Sequence, residues 1–197
     1  MTGQQLITNL QYRLEDDTLD TDFPVTHKLN ALNNALKSII SLVDDSYLQE
    51  LMEIENSVST ASHSDTGLRT VVFSDLSGVP IRKGIIKVYD NTNNRFVSFK
   101  RFEDFDVSSD YKYGTVATVM GSEILISPTT CLSVDVWYLK EPSDIANDTT
   151  ECPIDEILEP LLLDFAEAEL WRADNRINRA STAVGNATQH LQILNAR

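Results

Sequence analysis

This sequence has few cysteines, no long apolar run and no recognisable catalytic motif. Its 197 residues include only two cysteines, Cys131 and Cys152, and seven glycines. The cysteines fit no metal-ligand spacing and argue against a disulfide framework. No stretch approaches the roughly 18 apolar residues of a membrane-spanning helix, so we expect no membrane contact. The first residues lack a basic segment followed by an apolar core, so we predict no signal peptide and expect synthesis in the cytoplasm.

Signatures of catalysis are missing as well. No nucleophile elbow, dinucleotide loop or phosphate loop occurs, and the histidines fall in three separate segments: His27, His63 and His190. Neighbouring acids such as Glu167 and Glu169 have the composition of a glycosidase pair, but carboxylates on an amphipathic helix usually form its solvated face. The sequence therefore predicts no enzyme, no metal site and no cofactor.

Basic side chains are scarce and unevenly placed. Lys and Arg number 16 against 30 Asp and Glu, a formal charge of −14. Residues 1–55 carry −7, residues 56–140 are neutral, residues 141–174 carry −10, and residues 175–197 carry +3. Because affinity for DNA comes mainly from Lys and Arg on phosphates, this balance argues against a large DNA-binding face. It is compatible with a surface that must not adhere to DNA.

The N-terminal region predicts two amphipathic helices. Thr2 and Gln5 have capping-box spacing, and an apolar stripe follows at Leu6, Ile7, Leu10 and Leu14. After an acidic connection over 15–24, a second helix begins near Pro24. Its stripe is Val25, Leu29, Leu32, Leu36, Ile39, Ile40 and Val43, with His27, Lys28, Asn33, Asn34 and Lys37 mostly opposite. Residues 44–55 predict a short or broken continuation.

The middle of the chain predicts strands. Residues 84–102 form a hairpin around the Asn-rich turn 91–94, and residues 114–127 form another around Gly121-Ser122, with Gly first as a type II′ turn prefers. Alternation then continues at Leu132, Val134, Val136 and Tyr138. We expect a small antiparallel sheet or an open barrel.

Aromatic and basic residues alternate on this module: Phe96, Phe99, Lys100, Arg101 and Phe102, then Tyr111, Lys112 and Tyr113. A platform that stacks nucleic-acid bases has this composition. The favoured interpretation is a half-buried hairpin with its aromatics inside, since the region has no net charge and acids follow directly.

Helical periodicity returns after Pro153. Its stripe is Ile154, Ile157, Leu158, Leu161, Leu162, Phe165, Ala168 and Trp171, with a short turn before a long helix from about Pro160. Its expected acidic surface is Glu159, Asp164, Glu167 and Glu169. A last helix has a narrower stripe: Ile177, Ala180, Val184, Ala187, Leu191 and Leu194. The final 23 residues contain no acid.

Together these segments predict an α+β fold. An N-terminal helix pair and a C-terminal helix pair form a helical bundle, with a central antiparallel β-hairpin module. The predicted boundaries are 1–55 for the N-terminal helices, 56–140 for the β-module, and 141–197 for the C-terminal helices and a terminal docking segment.

Three segments resemble one protein family. Residues 123–145 show a strand, a proline and a strand ending in aromatic-x-x-x-Pro. Residues 161–194 show a helix ending in aromatic-Arg-x-Asp and then a polar helix rich in Ala and Asn. Residues 29–40 show a Leu-Asn-x-Ala helix. This pattern resembles the head-to-tail adaptor proteins of tailed bacteriophages, which form the ring beneath the portal.

The resemblance implies a structural role in the virion neck. It implies a homo-oligomeric, usually dodecameric, ring that binds the portal on one side and tail or nozzle proteins on the other. DNA would pass through the ring without specific binding, and some of its acids could line a channel that repels DNA. Portal or neighbour contact is predicted for the C-terminal segment, at Arg176, Arg179, His190, Gln192 and Arg197, with the arginines meeting acidic groups.

Other interpretations remain open at this stage. The last helix could simply cover the bundle, with incidental arginines. The whole chain could instead be an acidic DNA mimic that binds a basic DNA-binding protein through the carboxylates of 141–174. A third alternative is a receptor- or carbohydrate-binding tail module built on the β-hairpins.

Overall fold

The computed structural model describes residues 1–15, 23–106 and 114–196, except for the side chains of Arg82 and Lys83. The chain divides into two compact units. The helical unit consists of residues 1–50 and 142–197, and the β unit consists of residues 51–141. Most of the acidic connection predicted at 15–24 lies outside the described residues.

The described part of the helical unit contains four α-helices: α1 (Gly3–Leu14), α2 (Val25–Leu42), α3 (Glu159–Ala173) and α4 (Ile177–Asn195). The capping box at the start of α1 is confirmed. Thr2 Oγ1 accepts a hydrogen bond from Gln5 N at 3.4 Å, and Gln5 Oε1 accepts one from Thr2 N at 2.9 Å. A 3₁₀ turn (Glu156–Leu158) precedes α3, as the proline at position 160 predicted.

Helix α3 is the central helix of this unit, because it contacts α1, α2 and α4. The solvated acidic face predicted for it is wrong. Asp164 is only 1% exposed, and the other three acids are partly buried. Glu159 accepts a hydrogen bond from Asn9 at 2.7 Å, and Glu169 accepts one from Asn34 at 2.6 Å. With a helix on three sides, the α3 carboxylates pair with polar groups of the neighbouring segments.

Helix α2 departs from its predicted pattern at two positions. Lys28, expected on the solvent side, is fully buried, and Val25, expected on the apolar stripe, is 51% exposed. Val25 is the first residue of the helix, where few neighbours reach it. The predicted stripe is otherwise buried or half-buried.

The helix expected to continue to residue 55 is wrong beyond residue 51. Two 3₁₀ turns (Asp45–Tyr47 and Gln49–Leu51) are followed at once by strand β1 (Met52–Ser59). Residues 52–55 pair one by one with strand β9 (Ser133–Lys140), so the sheet satisfies their backbone groups.

In residues 51–106 and 114–141, the strands of the β unit form two sheets rather than the single sheet or open barrel predicted. The remaining strands are β2 (Ala61–Ser62), β3 (Arg69–Val72), β4 (Pro80–Asp90), β5 (Arg95–Phe96), β6 (Ser98–Phe99), β7 (Val116–Met120) and β8 (Glu123–Ser127). The four-stranded sheet has the order β1-β9-β4-β5, and the five-stranded sheet has the order β2-β3-β8-β7-β6. The pairings among the described strands are antiparallel, except that β6 and β7 are parallel.

Both predicted turns form hairpins, but the first hairpin is shorter than predicted, because Ser98 and Phe99 join the other sheet. In β4–β5, the Asp90 carboxylate holds the Asn-rich turn by accepting hydrogen bonds from Thr92 N and Asn93 N, each at 3.0 Å. In β7–β8, Met120 pairs with Glu123 across Gly121-Ser122. Gly121 has φ +63°, the left-handed conformation that the first position of a type II′ turn requires.

One apolar core is shared by the two sheets. Val134, Val136 and Tyr138 of β9 line it from the four-stranded sheet, as their alternation predicted, and Ile124 and Ile126 of β8 line it from the other. Alternation identifies the buried face of a strand, but it does not say which sheet the strand joins. The division into two sheets was therefore not readable from the pattern.

Candidate docking site

Helix α4 packs on α3 through small side chains. Ala180, Ala183 and Ala187 are each at most 2% exposed, and Leu194 is 7% exposed. The buried stripe differs from the predicted one at two positions, because Ile177 is 63% exposed and Ala183, which was not predicted, is buried. Alanines allow close approach of two helices but bury little apolar area, so polar contacts must help to hold α4.

Asp164 is the centre of those polar contacts. Its Oδ1 accepts a hydrogen bond from Arg13 Nη1 at 2.5 Å, and its Oδ2 lies 2.6 Å from His190 Nδ1. Arg13 also lies 3.7 Å from Glu167, which accepts a hydrogen bond from Trp171 Nε1 at 3.1 Å. One buried carboxylate of α3 therefore joins α1 to α4. His190, predicted to contact the portal or a neighbouring copy, is paired within its own chain.

Arg176 and Arg179 lie over the buried ring of Trp171. Their guanidinium carbons are 5.0 Å and 4.8 Å from the ring centroid, a cation–π distance. Arg176 Nε is 2.5 Å from Asp174 Oδ2, and Arg179 Nη2 is 3.4 Å from Glu15 Oε2. Both arginines meet carboxylates of their own chain, and the contact predicted with the portal or a neighbouring copy stays a prediction.

The side of α4 that faces away from Ala183 and Ala187 carries no charge. We define the outer face of α4 as Asn178, Thr182, Gly185, Gln189 and Gln192, all exposed. Gln192, a predicted contact residue, belongs to this face, whereas Arg197 lies outside the described residues. The face offers amides and a hydroxyl, which donate and accept hydrogen bonds without adding to the acidity of the chain.

Sequence reasoning missed the residues that position α4: Asp164, Arg13 and Trp171. A usable signal was present in α3, where three consecutive leucines, Leu161 to Leu163, are all buried. A helix that is apolar on more than one side is surrounded by other elements, so a carboxylate within it needs internal partners.

The two cysteines are free thiols. Burial raises the pKa of Cys131 to about 12, and the nearby Asp90 carboxylate adds to that rise. Burial also raises the pKa of Cys152. Both thiols therefore stay protonated at neutral pH, the form that does not act as a nucleophile.

The described residues offer neither a metal site nor a membrane-spanning helix. Within residues 1–15, 23–106 and 114–196, no three His, Cys, Asp or Glu side chains group together as metal ligands would. None of the described helices is long and apolar enough to cross a membrane.

Comparison with known proteins decides the family. A family model described as SU10 adaptor protein matches residues 1–197. The chain belongs to the SU10 adaptor protein family. The resemblance to phage head-to-tail adaptors is thereby confirmed at the level of the family. No curated protein matches the sequence. Membership supports a structural bacteriophage protein that interacts with head or tail components, and favours that interpretation over a DNA mimic or a receptor-binding module.

Proposed function

We propose that this SU10 adaptor is a ring protein of the phage neck that joins the portal to the tail and extends the DNA channel. Its copies form a closed, usually dodecameric ring, with the portal on one side and tail or nozzle proteins on the other. The helical unit holds α4 for portal docking, and the outer face of α4 makes the contact. DNA passes through without specific binding.

The observation that carries this proposal is the uncharged outer face of α4 on a strongly acidic unit. Seven basic and eighteen acidic side chains give the helical unit a formal charge of −11. A partner that docks on the acidic parts of this unit must desolvate or neutralise carboxylates, which is costly. Docking on the outer face of α4 avoids that cost, because its amides can be satisfied by neutral partners.

The acidity of the remaining surface supports the second half of the proposal. Net negative charge repels DNA phosphates at distances up to about a Debye length, roughly 8 Å at physiological salt. Like charge on a channel wall lets DNA slide without binding.

The roles first predicted for the C-terminal arginines are refined by this proposal. Arg176, Arg179 and His190 hold α4 against α3 and α1 through Trp171, Glu15 and Asp164. They act as positioning residues, and Gln192 with its neighbours on the outer face contacts the portal. Removal of 176–197 should therefore abolish docking and also uncover Trp171, so point substitutions test the idea more cleanly.

The experiment is co-elution with the portal of the same genome, by size exclusion coupled to light scattering. Gln189→Glu with Gln192→Glu places two unpaired charges on the outer face and should weaken docking at least tenfold, because each buried unpaired charge costs on the order of 1 kcal/mol or more. The matched control is Gln4→Glu with Gln49→Glu, the same change at two other exposed glutamines of the helical unit. Docking that is equally strong for both variants would refute the proposed contact.

A further inference from the structure

One group of exposed aromatic and basic residues in the β unit has no part in the proposed portal contact. We define the aromatic edge as Lys87, Phe96, Phe99, Lys100, Arg101 and Phe102, all exposed. Phe96 and Phe102 are 56% and 52% exposed, and Phe99 is 39% exposed. The prediction that these aromatics point into the core is therefore wrong for these three, and Tyr111, Lys112 and Tyr113 lie outside the described residues.

The position of this segment explains the exposure. Strand β5 is an edge strand of the four-stranded sheet, and β6 is an edge strand of the five-stranded sheet. The chain crosses from one sheet to the other at Val97, whose N–H donates to Val88 O at 3.0 Å, and Val97 is the residue that enters the shared core. Because side chains alternate along a strand, burying Val97 turns Phe96 outward.

Phe96 is held in this outward position by its neighbours. Lys87 Nζ lies 3.8 Å from its ring centroid, and the Tyr89 ring packs edge-on at 5.0 Å. Phe96 thus presents a fixed aromatic ring with a cation beside it. Exposed aromatic side chains and arginine are enriched at protein interfaces, and the edge has both, in its three phenylalanines and Arg101.

The occupant is expected to be an acidic protein surface rather than nucleic acid. Glu103 and Asp104 follow Phe102 directly and are exposed, so the evenly spaced phosphates of a nucleic acid strand that runs along the edge would meet them. A protein surface can place carboxylates against Lys100 and Arg101 and apolar groups against the phenylalanines.

The same chain carries such a surface. We define the acidic loop as residues 141–156, which hold six carboxylates and no Lys or Arg. All six are exposed: Glu141, Asp144, Asp148, Glu151, Asp155 and Glu156. Ile157, next to the loop and 41% exposed, supplies an apolar group. Two different complementary patches on one chain favour a head-to-tail contact between copies, the kind that closes into a ring.

We propose that the aromatic edge of one copy binds the acidic loop of the next copy. This deepens the proposed function, because it names the copy-to-copy contact of the ring. It can fail separately from portal docking, which uses the outer face of α4.

The test is sedimentation of the full chain without portal, over a concentration series at low and moderate salt. Wild type should associate with concentration, less so as salt rises. Lys100→Glu with Arg101→Glu, the edge variant, and Asp148→Lys with Glu151→Lys, the loop variant, should each weaken association at least tenfold. An Arg172→Glu control reverses an exposed charge outside both patches and should associate like wild type.

Mixing separates a lost contact from a damaged fold. The edge variant and the loop variant together present opposite charges at every contact, so the mixture should regain the association of wild type. A wild type that stays a single copy at every soluble concentration would overturn the proposal, as would unaffected variants or a mixture that stays dissociated. Loss of binding to a single-stranded oligonucleotide in the edge variant, with association unchanged, would instead assign the edge to nucleic acid. Failure of portal co-elution alone, with the mixing result intact, would refute only the portal contact.

Discussion

The two units of this adaptor bury polar groups in different ways. In the helical unit, a buried carboxylate, Asp164, ties together three helices through Arg13 and His190. In the β unit, the buried carboxylate Asp90 holds its own hairpin turn through Thr92 and Asn93, and it also accepts a hydrogen bond from Thr115, next to β7 of the other sheet. The first carboxylate joins three helices, and the second holds a turn and links it to the second sheet. Formal charge differs as well, −11 for the helical unit against −3 for the β unit, from seven basic and eighteen acidic side chains against nine and twelve.

Part of the negative charge of the helical unit has a structural role. Several acids of the helical unit have internal partners, so its acidity is partly a framework that holds α4. An acid on the inner side of α4 would face Asp164, Glu167 and Glu15. The last 23 residues contain no acid, and they include Arg176, which lies over Trp171. The absence of acids there therefore has a physical reason within the fold as well as in the proposed docking.

The largest effect should come from removing the carboxylate that joins the helices. Asp164→Ala leaves Arg13 without its closest partner in a buried setting and should destabilise the helical unit by about 3 kcal/mol. Each unit contains one of the two tryptophans, Trp171 in the helical unit and Trp137 in the β unit. Denaturant unfolding followed by Trp171 fluorescence in a Trp137→Phe background measures the effect. Glu156→Ala, an exposed acid of the same unit, is the control and should change stability little.

A smaller effect is expected from the carboxylate of the β unit. Burial alone would raise the pKa of Asp90, but hydrogen bonds from Thr115 and Asn93 outweigh it and hold the pKa below its ordinary 3.8. The ionised form is thus favoured in the folded state, so its stabilisation is present above pH 3.8 and is lost as pH falls through the lowered folded value.

Asp90→Asn replaces an acceptor oxygen with a donor and should cost the β unit about 2 kcal/mol at neutral pH. The variant should also lose the part of the acid sensitivity that Asp90 contributes. Unfolding at pH 7 and below pH 4, followed by Trp137 fluorescence in a Trp171→Phe background, checks both points. Equal loss of stability in wild type and variant on acidification would show that Asp90 does not titrate as described.

The smallest effect should be a gain. Gly185 lies in the middle of α4, and a Cβ added there would meet no atom within 4 Å. Gly185→Ala should therefore stabilise the helical unit by about 0.5–1 kcal/mol through helix propensity. Denaturant unfolding of the helical unit tests this. If Gly185→Ala weakens portal docking while it raises stability, the portal must approach the α4 backbone closely at Gly185.

Local signals in the sequence predicted local structure well. The capping box at Thr2, the turn at Gly121 and the start of α3 near Pro160 each depend on a few adjacent residues, and all three are present. The errors concern residues whose surroundings come from distant segments. Periodicity placed Asp164 opposite an apolar stripe, but it does not indicate how many helices surround α3. Alternation likewise does not show that the chain passes from one sheet to the other within residues 95–99.

The same limit applies to the docking site. An acid-free last helix was visible in the sequence, and its Gln192 does lie on the outer face of α4. The pairing of His190 with Asp164 was not visible, because Asp164 lies on another helix, α3. The stacking of Arg176 and Arg179 on Trp171 was not visible either, because the chain turns between α3 and α4 before it reaches these arginines. Residue type alone does not separate a positioning arginine from a docking arginine.

Site-specific photo-cross-linking in assembled portal–adaptor particles tests the central claim most directly. A cross-linker at Gln189, on the outer face of α4, is compared with one at Ser98, on the exposed edge of the β unit. The account predicts that position 189 cross-links to the portal, and that position 98 cross-links to a second copy of the adaptor. Portal cross-links from position 98 with none from position 189 would contradict the assignment of portal docking to α4.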